Sequence, residues 1–382
     1  MTNLDQTRIV FVHDWLTGMR GGEKCLEALC RRFPASSLFT LLHRKGSTSP
    51  IIEEMNPKTS WLGKLPGVHR YYRYLLPFMP KAIESISIPP CDLVISLSHC
   101  VAKGVMVPEG TPHLCYCFTP ARYAWQMRGD YFSQEKSSAK NWLASRILNR
   151  FQDWDRKSAP GVTRFIGISK TIQDRIWNCY QRESGLVYPP ADTDFYTPAD
   201  TPRENFYLMV SAFAPYKRLD LAVEACKALG RELVIVGNGQ DFKRISRLAG
   251  PRTRLLGWQD NPTILDLMRR CKALLFPGFE DFGIVPVEAQ ACGAPVIALG
   301  QGGATETIIP PGSASEPTGW FFDQAEVESL VEAIKEFEAR ARDFNPKAAR
   351  GNALRFSQGH FLQGMEREIQ GLLASQAQSA AA

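Results

Sequence analysis

At 382 residues the chain is long enough for two domains of ordinary size. Its apolar share of 44% and net charge of +6 exclude a disordered chain and an acidic tail protein, and do not call for a nucleic-acid partner. The mild positive balance suits an anionic small molecule or an anionic membrane surface.

Ten cysteines are scattered without a CxxC pair, and only Cys115 and Cys117 stand close. That spacing matches neither zinc nor thioredoxin motifs, so free thiols in a reducing cytosol are expected. The opening MTNLDQTRIVFVHDW has no charged region before a long apolar core, so no secretory signal is expected. No apolar run reaches the roughly 18 residues that a membrane-spanning helix needs. A cytoplasmic location follows, with contact at the inner face of the membrane left open.

Arg8 to His13 predicts a first buried strand, and Asp14 to Gly22 is a loop with three glycines before a helix at Glu23 to Phe33. This strand, glycine loop and helix form the usual opening of a Rossmann-like domain, although the GxGxxG fingerprint of a dinucleotide site is missing. Leu38 to Leu42 predicts a strand, and Arg44 to Pro57 a polar, irregular stretch. In Trp61 to Ile83, aromatics and leucines interleave with Lys64, His69, Arg70, Arg73 and Lys81. Such a mixture suits a bilayer interface or a solvated domain surface, and Pro66, Pro77 and Pro80 exclude one long helix.

Cys91 to Ser96 and Leu114 to Phe118 predict two further strands. His99 lies just past the first, where ligands collect in open α/β sheets, with Lys103 a weaker candidate. Thr119, Arg122, Tyr123 and Trp125 follow the second, where aromatic rings could line a ligand pocket and Arg122 could grip a phosphate. Lys136 to Lys157 predicts a helix whose Trp142, Ile147, Leu148, Phe151 and Trp154 face a core. Arg164 to Ser169 predicts a strand, with Ser169 capping a helix at Lys170 to Trp177. Leu186 to Tyr188 is a short strand, and the domain boundary falls at Pro189 to about Arg203.

The second half opens with a strand at Tyr207 to Ser211. Lys217 and Arg218 follow where this strand meets a helix, and a surface basic pair and a diphosphate clamp beside the helix start are both open readings. Leu233 to Val236 and Arg254 to Trp258 predict strands, and Ile264 to Cys271 a helix. A charged helix is expected at Ala325 to Arg342, and closing helices at Asn345 to Phe356 and Gln358 to Leu373. The tail SQAQSAAA is expected to be disordered.

The most informative stretch is Leu274 to Thr307. Ala273 to Phe276 predicts a buried parallel strand, ended by Pro277 and Gly278. A short helix from about Ile284 to Cys292 has Pro286 in its first turn and Gly293 at its stop. Glu280 precedes this helix and Glu288 sits in its early turns. Gly283 between them permits close approach of a ligand to the backbone, where helix-start amides attract an anion. A second such cradle is expected at Gly302, Gly303 and Ala304. Two phosphate turns and two carboxylates suit a sugar nucleotide.

The order EDFGIVPVE, with seven residues between the glutamates, is followed by AQACGAPVIA and GGATE. It resembles the signature of the retaining glycosyltransferases of family four. The resemblance implies the GT-B architecture, with two Rossmann-like α/β domains facing a cleft and a last helix crossing back to the first domain, anchored by Phe356 and Phe361. The implied boundaries are an acceptor domain at 1–190, a nucleotide-sugar domain at 191–355, the returning helix at 356–374 and a disordered tail at 375–382.

The resemblance also carries roles. Glu280 would hold sugar hydroxyls, Lys217 and His99 would serve the donor phosphate and the reacting sugar, and Glu288 would bind the ribose. Gly21, Gly22, Phe282, Gly283, Ile284 and Gly303 would border the donor or acceptor, with Trp258 near the nucleobase. Many relatives carry an Arg where Ala212 stands; its absence leaves Lys217 as the main phosphate contact, with Arg218 only a candidate substitute. No metal or other cofactor is implied. HDWLTGMRGGEK, SHCVAKG and PYKR look like a bacterial subgroup of mannosyl or rhamnosyl transferases. A GDP-sugar donor, a glycan or polyprenyl-linked acceptor and cell-surface polysaccharide synthesis would follow. An epimerase of the same fold and a non-catalytic nucleotide- or glycan-binding protein remain alternatives.

Overall fold

The computed structural model describes residues 4–125 and 139–381. The chain forms two units, Met1–Tyr188 with Phe361–Ala382, and Pro189–His360.

The first unit is built on a seven-stranded sheet. Its strands are β1 (Ile9–His13), β2 (Ser37–Thr40), β3 (Lys58–Thr59), β4 (Leu93–Ser98), β5 (His113–Cys117), β6 (Arg164–Gly167) and β7 (Ser184–Leu186), in the order β3-β2-β1-β4-β5-β6-β7. Every pairing is parallel. β1, β4 and β5 are buried along their whole length, which is why they read as continuous apolar runs. Helix α1 (Gly21–Arg32) follows β1. Ser169 accepts from the Ile172 amide at 3.2 Å and caps α2 (Lys170–Tyr180), as expected.

The second unit repeats the plan with six parallel strands: β8 (Phe206–Val210), β9 (Glu232–Val236), β10 (Thr253–Gly257), β11 (Ala273–Phe276), β12 (Val296–Leu299) and β13 (Gly319–Phe322). Their order is β10-β9-β8-β11-β12-β13. Helix Leu219–Leu229 packs on helix Val327–Ala339, and Leu219, Ala222, Leu330, Ile334 and Phe337 join the core over one sheet face. Arg203, expected in the linker, is an anchor: its guanidinium donates to the Met268, Cys271, Cys292 and Gly293 carbonyls, tying two helix ends together.

In each sheet the chain builds strands to one side, then crosses and continues on the other. The reversal falls between β1 and β4 in the first unit and between β8 and β11 in the second. The loops leaving those strand pairs border the crevice that open α/β sheets use for ligands.

Several expectations need correction. The stretch 44–57 holds a helix, Pro50–Glu54, and leads into β3, because Ile52 is buried. Trp142 is exposed, whereas Leu148 and Phe151 join the core. The tail expected to be disordered is helical up to Ala381: helix Gln358–Ala381 runs into it, since alanine and glutamine propagate a helix and no Gly or Pro follows Gly371. Phe361 packs on Tyr116 within the first unit, but Phe356 belongs to the second, edge-on to Phe282 at 5.5 Å. The start of the helix expected at Lys136 lies outside the described residues.

Candidate functional site

In the second unit the crossover brings the loop after β8 against the loop after β11. Lys217 ends a short 3-10 turn, Pro215–Lys217. A Cβ on Gly278 would stand 2.8 Å from the Lys217 Cα, so only glycine lets the two loops touch. Two residues on, the Glu280 carboxylate pairs with the Lys217 ammonium, both side chains being largely shielded from solvent. The predicted phosphate contact and the predicted sugar contact are therefore ion-paired with each other.

Gly283 takes φ +84°, a left-handed conformation that suits glycine, and starts the helix Ile284–Ala291. Ile284 opens this helix and is half-buried. Glu288 lies in its second turn and is 5% exposed. Burial and the Glu288 charge both push the Tyr196 phenol up. Phe282, expected at the ligand, instead turns into the core against Phe356.

The second amide cradle is not formed as expected. The Gly303 amide donates to the Glu280 carbonyl at 2.9 Å, and the helix behind it, Ala304–Thr307, is a single turn. A Cβ on Gly303 would come within 2.2 Å of the Phe282 Cα, and one on Gly302 within 2.4 Å of the Glu280 carbonyl oxygen. These glycines lock the Gly302–Gly303 turn onto the backbone that carries Glu280. Gly303 thus shapes the site through Glu280.

Arg218 is also corrected. It sits at φ +52° as the N-cap of helix Leu219–Leu229. Its guanidinium turns back to Asp220 at 3.3 Å and to the Ala325 carbonyl at 3.0 Å, which removes it as a substitute phosphate ligand. Trp258 follows the edge strand β10 and is 76% exposed, two strands from the crossover.

In the first unit the crossover loops are joined by Asp14 and His99. The His99 ring nitrogen Nδ1 lies 3.0 Å from the Asp14 carboxylate. Asp14 is fully buried and accepts four backbone amides, from His99, Cys100, Val101 and Ala102, at 2.6 to 2.9 Å. Burial alone would push its carboxyl up. The His99 ring and these amides outweigh burial and hold it at about 2. The carboxylate thus occupies the anion nest of the β4 loop and fixes His99, whose side chain keeps 29% exposure.

Gly21 and Gly22 open α1. A Cβ on Gly22 would meet the Phe118 ring at 3.3 Å and the His13 Nε2 at 3.6 Å. Arg122 is half-buried in the short helix Arg122–Trp125 after β5. Its expected neighbours do not form a sugar platform, because the Trp125 indole donates to Asp155 at 2.7 Å. Tyr123's side chain lies outside the described residues. Lys103 is buried and paired with Asp155 at 3.0 Å, which excludes it from ligand contact.

Sequence reasoning missed His13 and Asp14. The signal was present: a polar pair ends the apolar run of β1, at the strand end where the sheet reverses.

The two parallel sheets define a Rossmann-like α/β protein of the GT-B kind. Superposition agrees: Anabaena HepE, solved with UDP, shares 16% identity over 95% of this chain and all of its own, at TM-score 0.69. Sucrose-phosphate synthase from Thermosynechococcus elongatus gives 16%, 96% of this chain, all of its own, and 0.70. Residues 194–350 match the family model for glycosyl transferases group 1.

Among curated relatives, an uncharacterized glycosyltransferase of Methanocaldococcus jannaschii is 30% identical over 152 residues, 38% of this chain and 42% of its own. The D-inositol 3-phosphate glycosyltransferase of Mycobacteroides abscessus is 30% identical over 194 residues, 45% of this chain and 43% of its own. The match spans less than half the length of both relatives.

Proposed function

We propose that this protein is a retaining glycosyltransferase, moving a hexose from a nucleoside diphosphate to an alcohol of a glycan or lipid-linked acceptor. The observation that carries the reading is the Lys217–Glu280 pair at the crossover of the unit that matches the group 1 family. Transfer leaves a diphosphate anion behind an oxocarbenium-like sugar, so it needs a cation on the phosphate and a fixed sugar ring. Lys217 supplies the cation, helped by the helix start at Gly283. Glu280 holds sugar hydroxyls and Glu288 the ribose. The leaving phosphate takes the acceptor's proton on the same face, and the chemistry requires no metal ion.

The donor is proposed as a GDP-hexose such as GDP-mannose, on the likeness of HDWLTGMRGGEK, SHCVAKG and PYKR to mannosyl or rhamnosyl transferases. The α-1,3/1,6-mannosyltransferase ALG2 of Candida glabrata, 22% identical over 239 residues, is one matched relative. The acceptor is proposed to belong to cell-surface polysaccharide assembly at the inner membrane face. Trp61, Tyr71, Tyr74 and Phe78 are exposed among Lys64, Arg70, Arg73 and Lys81, and no acid occurs from Pro57 to Ile83. Among the described residues no helix is long and apolar enough to cross a membrane, so the contact would be interfacial.

A thermal-shift screen with GDP, UDP, ADP and their sugars, followed by turnover of whichever stabilises the protein, tests the reading. A GDP-sugar should give the largest shift, and sugar release should follow. A protein stabilised by none of them is not a sugar-nucleotide enzyme.

A further inference from the structure

His13 ends β1 at the crossover of the first unit and is 1% exposed. Its Nδ1 lies 3.1 Å from the Trp15 carbonyl oxygen. A carbonyl only accepts, so Nδ1 carries the ring proton and Nε2 presents a lone pair. Burial holds the ring below the ordinary histidine range, so it is neutral near pH 7. No polar group among the described residues reaches Nε2. An acceptor this deeply buried without a donor is rare and destabilising.

What lies around Nε2 defines what it can take. Gly22, in the first turn of the 12-residue helix α1, faces it, and a carbon placed on Gly22 would stand 3.6 Å away. The Phe118 and His99 rings flank the same spot, with centroids 6.5 and 6.2 Å from that of His13. A carbon there would also press on the Phe118 ring at 3.3 Å, so Gly22 leaves only a tight space beside the lone pair, walled by rings and by the partly exposed His99. A hydroxyl is among the smallest groups that can donate to that lone pair, and a small shift of the Phe118 ring would admit it. A phosphate oxygen cannot donate, and an ammonium with its shell is too large.

We propose that His13 is a positioning residue whose Nε2 accepts a hydrogen bond from a substrate hydroxyl beside Gly22. The proposal rests on the transfer reading for the origin of that hydroxyl, which is either the donor sugar or the acceptor alcohol.

The test uses the full chain with histidine isotope-labelled at its ring nitrogens. Imidazole spectra of the free protein should show His13 protonated on Nδ1 and bare on Nε2. The probes are GDP-mannose, UDP-glucose, the two bare diphosphates and methyl mannoside. If the donor sugar supplies the hydroxyl, the Nε2 resonance moves with an intact nucleotide sugar and not with its diphosphate. If the acceptor does, it moves with methyl mannoside.

In parallel, His13→Phe should lower kcat/KM about tenfold, the value of one substrate hydrogen bond, and His13→Gln, whose amide oxygen still accepts, should recover part. Gly22→Ala fills the space and should mimic His13→Phe. An Nε2 that no probe moves, including one already bonded to a resident water, overturns the proposal. So does a folded His13→Phe as fast as the parent. A moving Nε2 in a protein that transfers no sugar would sink the transfer reading alone, whereas normal turnover with a still Nε2 would sink this assignment alone.

Discussion

Lys217 and Glu280 reach each other from the two loops that leave β8 and β11, and in the free protein each neutralises the other. The pair stores the cation that a diphosphate needs and orients the carboxylate that a sugar needs. Removing one partner leaves the other charge shielded and alone, which costs more than removing both. Lys217→Met should lower stability by about 1–3 kcal/mol, and Lys217→Met with Glu280→Gln should recover much of that loss. The double variant should still bind nucleoside diphosphate poorly, by calorimetry. Glu280→Gln alone should cut turnover on the order of a hundredfold. Strictly additive stability losses would show that the pair is not formed in solution.

Gly303 gives a test of what shapes the site. Its substitution by alanine would put a Cβ 2.2 Å from the Phe282 Cα. The Gly302–Gly303 turn must then back away from the loop carrying Glu280 and lose the bond from the Gly303 amide to the Glu280 carbonyl. Overpacking of this kind costs about 1–3 kcal/mol. Gly303→Ala should lower the melting temperature and reduce turnover together. An unchanged melt with weaker diphosphate binding would instead point to a direct phosphate role for this glycine.

The strands were legible because parallel strands buried on both faces read as unbroken apolar runs, as in IVFVH and LVISLS. Lys58–Thr59 was not, since two polar residues carry no period. The helix expected after Lys217 and Arg218 is Leu219–Leu229, but it starts on Arg218 in a left-handed conformation, without the Ser, Thr or Asp that usually marks a helix start. The same geometry swung Arg218 away from the site. Residue order singled out Glu280, Glu288 and Lys217 as candidates, but it could not show that Lys217 and Glu280 pair, because that depends on two distant loops meeting at Gly278. Nor does a Gly-Gly sequence reveal whether its amides face a ligand or, as at Gly303, a neighbouring carbonyl.

Asp14 accepts four amides and the His99 ring with one carboxylate. Asparagine keeps the shape but offers one accepting oxygen and adds donors facing donors. Asp14→Asn should therefore cost about 3 kcal/mol, read by chemical denaturation. It should also release His99, lowering turnover beyond any change in nucleotide affinity. If His99 has no role in the chemistry, stability falls while the turnover of the folded fraction stays at the parent's value.

Glu338 supplies a pH test remote from the crossover loops. It accepts from Arg231 at 2.7 and 2.9 Å, from Lys272 at 2.7 Å and from the Tyr207 hydroxyl at 2.9 Å. Burial alone would raise its carboxyl, but hydrogen bonds from Arg231, Lys272 and Tyr207 outweigh burial and hold it at about 2, against an ordinary 4.5. A carboxyl depressed on folding adds stability that is complete above its unfolded value and fades as the pH falls through the folded one. The network should thus be fully stabilising above pH 4.5 and fade towards about 2. Glu338→Gln should melt roughly 2–4 °C below the parent at pH 7, and that gap should close as the pH is lowered across the same window. A gap that stays constant from neutral to acid pH would mean that the variant acts through packing and not through charge.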